Sequence, residues 1–140
     1  MIKEIEFRGK DKDNNWVTGD LNTKKGNLYI LPLEHNLASI PNCHYLDGVK
    51  IKNETISQFT GLRDKNGIDI YEGDILKIKE TPFQIGGLHQ VIFYEDSYLT
   101  YSILFNDIDQ ANKHPLAYQI EYADAHVIGN IHDNPELLNK

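Results

Sequence analysis

The chain has 140 residues, 40% of them apolar and 25% charged, which is enough for one compact domain with its own core. Fourteen basic residues against 21 acidic ones give a net charge of −7, which disfavours non-specific attraction to phosphate backbones and anionic lipid. No run of roughly 18 apolar residues occurs to span a membrane. The start MIKEIEFRGK lacks the apolar core of a signal peptide, and the single cysteine, Cys43, has no internal partner, so a cytoplasmic protein is expected.

Ile5 and Phe7 alternate with Glu4, Glu6 and Arg8, which predicts a half-buried strand. Lys10–Asn15 is a turn cluster with Trp16–Leu21 as the returning strand. Asn22–Asn27 turns again into Leu28–Leu31, and together these predict a three-stranded meander. Between Pro32 and Gly48 the pattern fades into a loop, with a helical turn near Glu34–Ser39. Val49 and Ile51 then alternate with lysines, whereas Ile56 and Phe59 are spaced too irregularly for a simple strand.

Asn66-Gly67 is a two-residue turn signal, since both residues tolerate the positive φ that a type I′ hairpin requires. It predicts Ile68 and Ile70 on one strand face, with Asp69 and Tyr71 on the other. Glu72-Gly73 marks a second turn and Ile75–Ile78 another strand. Beyond a Pro82–Gly87 loop, HQVIFYE and YLTYSILF flank a turn at Glu95-Asp96-Ser97. Asn106–Pro115 is a polar connection with one helical turn, and LAYQIEY and HVIGNI are the last strands. Asn134 as N-cap and Pro135 at the first helical position predict a short C-terminal helix. No internal repeat stands out.

The predicted fold class is mainly β: sheet-rich or a β-barrel, with short helical turns. It is read as one domain over 1–140, with a possible subdivision into a meander and loop over 1–48 and a barrel-like part over 49–140.

Candidate chemistry is weighed against this framework. A calcium loop of the EF-hand type needs oxygen ligands at positions one, three and five, glycine at six and glutamate at twelve. From Asp64, Ile68 and Asp69 occupy positions five and six; from Asp11, Trp16 replaces the glycine and Asn22 the glutamate. Both stretches read better as hairpin turns. The histidines His35, His44, His89, His114, His126 and His132 lack zinc-site spacing, although His126, His132 and Asp124 share one face if Val127–Ile131 is a strand. Cys43-His44 points its two side chains oppositely on an extended chain, with no third group in view. The carboxylates Asp64 and Asp74 are accounted for by turn capping. Aromatics such as Tyr71, Phe93, Tyr94, Tyr98, Tyr101, Phe105, Tyr118 and Tyr122 lie on predicted strands. Leu88–Phe105 carries no Lys or Arg to accompany base stacking, so a subunit interface is the favoured use of these aromatics.

Three blocks together resemble the YopX-type proteins of phages and prophages. They are IEFRGKD (Ile5–Asp11), ISQFTGLRDKNGIDIYEGDIL (Ile56–Leu76) and VIGNIHDNPELL (Val127–Leu138). The motif positions are Gln58, Thr60, Gly61, Leu62, Asp64, Asn66, Gly67, Tyr71, Glu72, Gly73 and Asp74 in the centre, with Gly129, Asn130, Asn134 and Pro135 near the end. Arg8–Lys10 departs from relatives that carry an aromatic after a small residue. The resemblance implies a β-rich, self-associating cytoplasmic protein and carries no catalytic, cofactor or metal residue with it. The expectation is a non-enzymatic accessory protein, a homo-oligomer with a possible host protein partner. A small nucleic-acid-binding β-module is the alternative, with a metal-dependent enzyme behind it. Nucleic acid is not favoured as a partner, and a membrane is not expected.

Overall fold

Strand β1 (Phe7–Lys10) turns through Asp11–Asn15 into β2 (Trp16–Lys24), and β2 returns through Lys25-Gly26 into β3 (Asn27–Pro32), the meander that the period-two pattern predicts. Lys25 and Gly26 have φ of 51° and 80°, so this is the two-residue connection with positive φ at both centres that matches strand twist. The sequence reading placed such a turn at Asn66-Gly67. There only Gly67 has positive φ, because the loop is one residue longer.

The structure, a computed structural model, describes residues 5–32, 40–44, 47–82, 86–94, 100–104 and 115–138. The expected helical turn at Glu34–Ser39, the turn at Glu95–Ser97 and the connection over 106–114 lie outside them. The remaining elements are β4 (Cys43–His44), β5 (Gly48–Ile51), β6 (Ser57–Arg63), β7 (Asp69–Tyr71), β8 (Asp74–Ile78), β9 (Gly87–Tyr94), β10 (Thr100–Leu104), α1 (Leu116–Tyr122) and β11 (His126–Asn130). Short 3-10 turns cover Asn53–Thr55 and Pro135–Leu138, the latter being the expected C-terminal helix in a tighter form.

The chain forms two compact units that divide between Phe59 and Thr60, inside β6. The lysine-alternating segment belongs to the first unit because β5 pairs with β3, placing Val49 opposite Ile30 and Ile51 opposite Leu28. In that unit the strand order is β4-β5-β3-β2-β1, followed by the start of β6, where Ser57 and Gln58 pair with Arg8 and Phe7. Ile30, Val49 and Ile51 are its buried centre, and Phe7, Val17, Leu28, Ile40, Cys43 and Ile56 pack around them. The other face carries Trp16 with the Arg8 guanidinium 4.6 Å and the Lys10 ammonium 5.2 Å from its ring centre, contacts worth about 0.5–1 kcal/mol each where exposed.

The second unit holds the rest of β6 beside β7, and a four-stranded antiparallel sheet of order β10-β9-β8-β11. Ile70, Leu76, Ile78, Val91, Leu116, Ala123 and Ala125 are its buried core. Mainly β is therefore the fold class, but among the described residues there is no closed barrel, since neither strand order pairs its first strand with its last. One expected strand is a helix. Leu116–Tyr122 forms α1, whose buried residues Leu116 and Gln119 are spaced as a helix face, with Ala123 buried just beyond.

Candidate functional site

The central motif is built around one carboxylate. Asp64 is only 5% exposed, so its oxygens need partners inside the protein. Oδ1 accepts the backbone N–H groups of Asn66 and Ile68 at 2.9 and 3.0 Å, and Oδ2 accepts that of Val127 at 3.1 Å. The backbone around it is a three-residue hairpin loop: the Gly67 amide donates to the Asp64 carbonyl and the Asp64 amide to the Ile68 carbonyl, both at 3.0 Å, with Gly67 at φ 81°. Ile68 is a loop residue, 50% exposed, and does not share a buried face with Ile70.

Asp11 repeats this construction. Its Oδ1 accepts the Asp13 and Asn15 amides, both at 2.9 Å, and Asn14 takes the left-handed position at φ 65°. Its Oδ2 accepts from the Asn42 side chain at 3.0 Å. Burial works to raise the Asp11 carboxyl, yet the Asn15, Asn42 and Asp13 hydrogen bonds outweigh it and hold the carboxyl below the ordinary Asp value. The stability linked to this lowering is present above the ordinary value and is lost as pH falls through the lowered one. Each of the two calcium-loop candidates thus spends its leading carboxylate on its own turn and one distant segment.

The other motif positions surround the second hairpin. Gln58 lies opposite Phe7 on the β1–β6 ladder. Gly61 has φ 86° within β6, and the neighbouring Thr60 hydroxyl bridges the break, donating to the Ile70 carbonyl at 2.7 Å and accepting the Leu62 amide at 3.1 Å. Leu62 packs against the core of the second unit. Asp74 accepts the Tyr71 amide at 2.7 Å, closing the Glu72-Gly73 turn. The Gly73 amide donates to the Val91 carbonyl, and its own carbonyl accepts from Ile131.

In the last block, a Cβ on Gly129 would fall 2.5 Å from Asn134 Oδ1, the atom that accepts the Asn130 amide. The Asn130 side chain in turn accepts the His132 and Asp133 amides, both at 2.9 Å. Pro135 opens the final 3-10 turn. A bulge between Val127 and Gly129 breaks the period-two face that would have aligned His126 with His132. Among the described residues no three His, Cys, Asp or Glu side chains converge as a metal-holding group. Cys43 is a free thiol on β4, packed against the first unit's core.

Burial pushes the Glu72 carboxyl above the usual glutamate range. A raised carboxyl leaves stability unaffected below the unfolded value and lowers it as pH rises through the folded one. Glu72→Gln is accordingly expected to raise the melting temperature at pH 7 and to leave it unchanged near pH 3.5. Thermal denaturation at the two pH values checks this.

The family model described as YopX protein matches residues 6–139. The chain belongs to the YopX family. A crystal structure of protein EF1440 from Enterococcus faecalis is similar to this YopX-family chain in fold, with a TM-score of 0.51 and 23% sequence identity, covering 99% of this chain and 100% of that one. No curated protein matches.

Sequence reasoning on this YopX-family chain missed the distant halves of both clamps. The Val127 amide carries no side-chain signature, and Asn42 sits in a segment without pattern. The doubled hairpin did leave a trace: Lys10-Asp11-Lys12-Asp13-Asn14 and Arg63-Asp64-Lys65-Asn66-Gly67 share a basic residue, an aspartate, a lysine, an Asp or Asn, and an Asn or Gly. The structure also displays a surface that the motifs do not include. On α1, Tyr118 and Tyr122 are 36% and 67% exposed with their rings 4.9 Å apart. At the margin of the four-stranded sheet, β10 pairs with β9 from Thr100↔Tyr94 to Leu104↔Gln90, and no described strand lies on its other side. Its sequence, TYSIL, holds no charge and no proline.

Proposed function

We propose that this YopX-family chain is a non-enzymatic accessory protein of the phage or prophage type, working in the cytoplasm through protein contacts, first of all with a second copy of itself. The observation that carries the reading is the β10 margin. An uncharged strand with no described strand on its outer side is a template for strand addition, which natural sheets otherwise block with charge, proline or a bulge. The opposite margin, β11, has such a bulge. Antiparallel pairing of two β10 strands about a two-fold axis would join two four-stranded sheets into one. The exposed Tyr118–Tyr122 pair supplies the aromatic residue type enriched at interface centres, for a second copy or for a host protein.

The test is light scattering on a size-exclusion column. Wild-type protein is expected at a mass at least twice the chain's 16.1 kDa, and Ser102→Lys, which charges the edge, at the mass of one chain. A wild-type monomer at micromolar concentration would overturn the reading. The Arg8–Trp16–Lys10 cluster is the feature that favours nucleic-acid binding instead. Its ring already carries two cations, however, and the chain as a whole is acidic. A salt-sensitive mass shift with short single-stranded DNA or RNA in the same experiment would reverse the order of the two readings.

A further inference from the structure

The N-terminal unit has a cleft of about 430 Å³ lined by Lys12, Asn42, Cys43, Lys50, Ile51 and Lys52. Its size lies within the roughly 300–1,000 Å³ of small-molecule sites. Three of its six described lining residues are lysines, in a chain with only 14 basic residues and an excess of acid. Lys12 and Lys50 have no carboxylate partner among the described residues, whereas Lys24 pairs with Asp47 at 3.3 Å and Arg63 with Asp69 at 2.6 Å. Lys52 donates its ammonium to Asn14 Oδ1, a neutral group that leaves its charge uncompensated.

The walls are held before any ligand arrives. The Lys52 amide donates to the Lys10 carbonyl at 2.8 Å, tying the end of β5 to β1. Asn42, at φ 61°, donates its side-chain amide to Asp11 Oδ2 at 3.0 Å and Asp13 Oδ2 at 2.9 Å, which ties the approach to β4 onto the β1–β2 turn. The Asp11 and Asp13 carboxylates are thereby engaged by Asn42. A cleft fixed in this way loses little entropy on binding.

We infer that this cleft binds a small phosphate ester with an apolar or aromatic body, of the size of a nucleoside monophosphate. The lysine ammoniums meet the phosphate, and the half-buried Cys43 with the lysine methylene stems contacts the body. The net charge of −7 separates such a ligand from a nucleic acid: a long polyanion must lie over acidic surface, while a small ester places its charge only among the lysines.

Calorimetry on the full chain with AMP, adenosine and inorganic phosphate tests the site. AMP is expected to bind saturably, about tenfold more tightly than adenosine, and more weakly as salt rises. The exposed-site variant Lys12→Gln/Lys50→Gln should keep the wild-type melting temperature and lose at least about tenfold in AMP affinity, which is the weight of charge-assisted contacts. Independently, saturating AMP should slow alkylation of Cys43 in the wild type. The inference is overturned if AMP fails to saturate at millimolar concentration, if adenosine binds as well as AMP, or if the variant binds like the wild type. It is equally overturned if Cys43 alkylates at the same rate with and without AMP, or if short single-stranded DNA outcompetes AMP.

Discussion

Asp64→Ala should destabilise the C-terminal unit by about 3–5 kcal/mol, a loss at the upper end for a single substitution. The alanine removes the acceptor of three backbone N–H groups at once, from Asn66, Ile68 and Val127. Hydrogen bonds to a charged acceptor are worth about 1.5–3 kcal/mol each, and a buried donor left unmade adds its desolvation penalty. The sum is less than three separate bonds because water reaches the exposed loop residues Asn66 and Ile68. Asp64→Asn separates the two halves of the clamp. Its oxygen can still serve the turn, but an amide NH₂ then faces the Val127 N–H, so a loss of about 1–2 kcal/mol is expected. Urea unfolding followed by circular dichroism gives both values, and hydrogen exchange at Val127 assigns the second. An alanine variant within about 0.5 kcal/mol of wild type would show that the carboxylate does not hold these segments.

Gly19→Ala should have a comparable effect in the N-terminal unit, about 3 kcal/mol or more. Gly19 lies opposite Phe7 on one side and Pro32 on the other, so it sits between two ladders. A Cβ there would fall 2.1 Å from the Leu31 carbonyl oxygen and 2.8 Å from its carbon, atoms of a neighbouring backbone that no side-chain rotation can move aside. Its φ of 154° is also unfavourable for a residue with a side chain. β2 and β3 must separate to admit the methyl. Gly26→Ala is the control: φ is 80° but nothing lies within 4 Å, so only the conformational penalty of about 1–2 kcal/mol applies. Fluorescence of Trp16, the chain's single tryptophan and itself on β2, reads both variants during denaturation. Equal losses for the two would mean that the close approach of the strands contributes nothing.

The strands of the meander were legible because their apolar residues alternate against one buried face, whereas β8 was legible as a short apolar run, Ile75, Leu76 and Ile78, buried on both faces. Leu116–Tyr122 misled because Leu116, Tyr118, Ile120 and Tyr122 also alternate. The helix buries positions 116 and 119 instead, with Ala123 just beyond its end, and Gln119, a polar residue at 0% exposure, hid that face. The Asn66-Gly67 turn was found in place but not in kind, since turn type depends on how the Asp64 carboxylate draws in the next amides, which composition does not report. The motif positions could be identified by likeness. Their partners could not, because several of them (Val127, Val91, Ile131) contribute only backbone. The cleft was invisible for a related reason. Lys12 is far in the chain from Asn42 and Lys50, and the Asn42 bridge to Asp11, the β4–β5 pairing and the Lys52–Lys10 backbone bond bring them together.

The two aspartate hairpins imply an order of assembly. In each, one carboxylate oxygen is satisfied by residues two and four positions along the chain, the other by a group 31 residues away at Asp11 and 63 residues away at Asp64. Closing the short loops has a small entropic cost and can occur in microseconds, before either long loop is formed. Mutations of the local half should therefore slow folding, while those of the distant half should mainly speed unfolding. Each carboxylate then acts in sequence, first as the seed of its own hairpin and later as the latch that retains the segment arriving last.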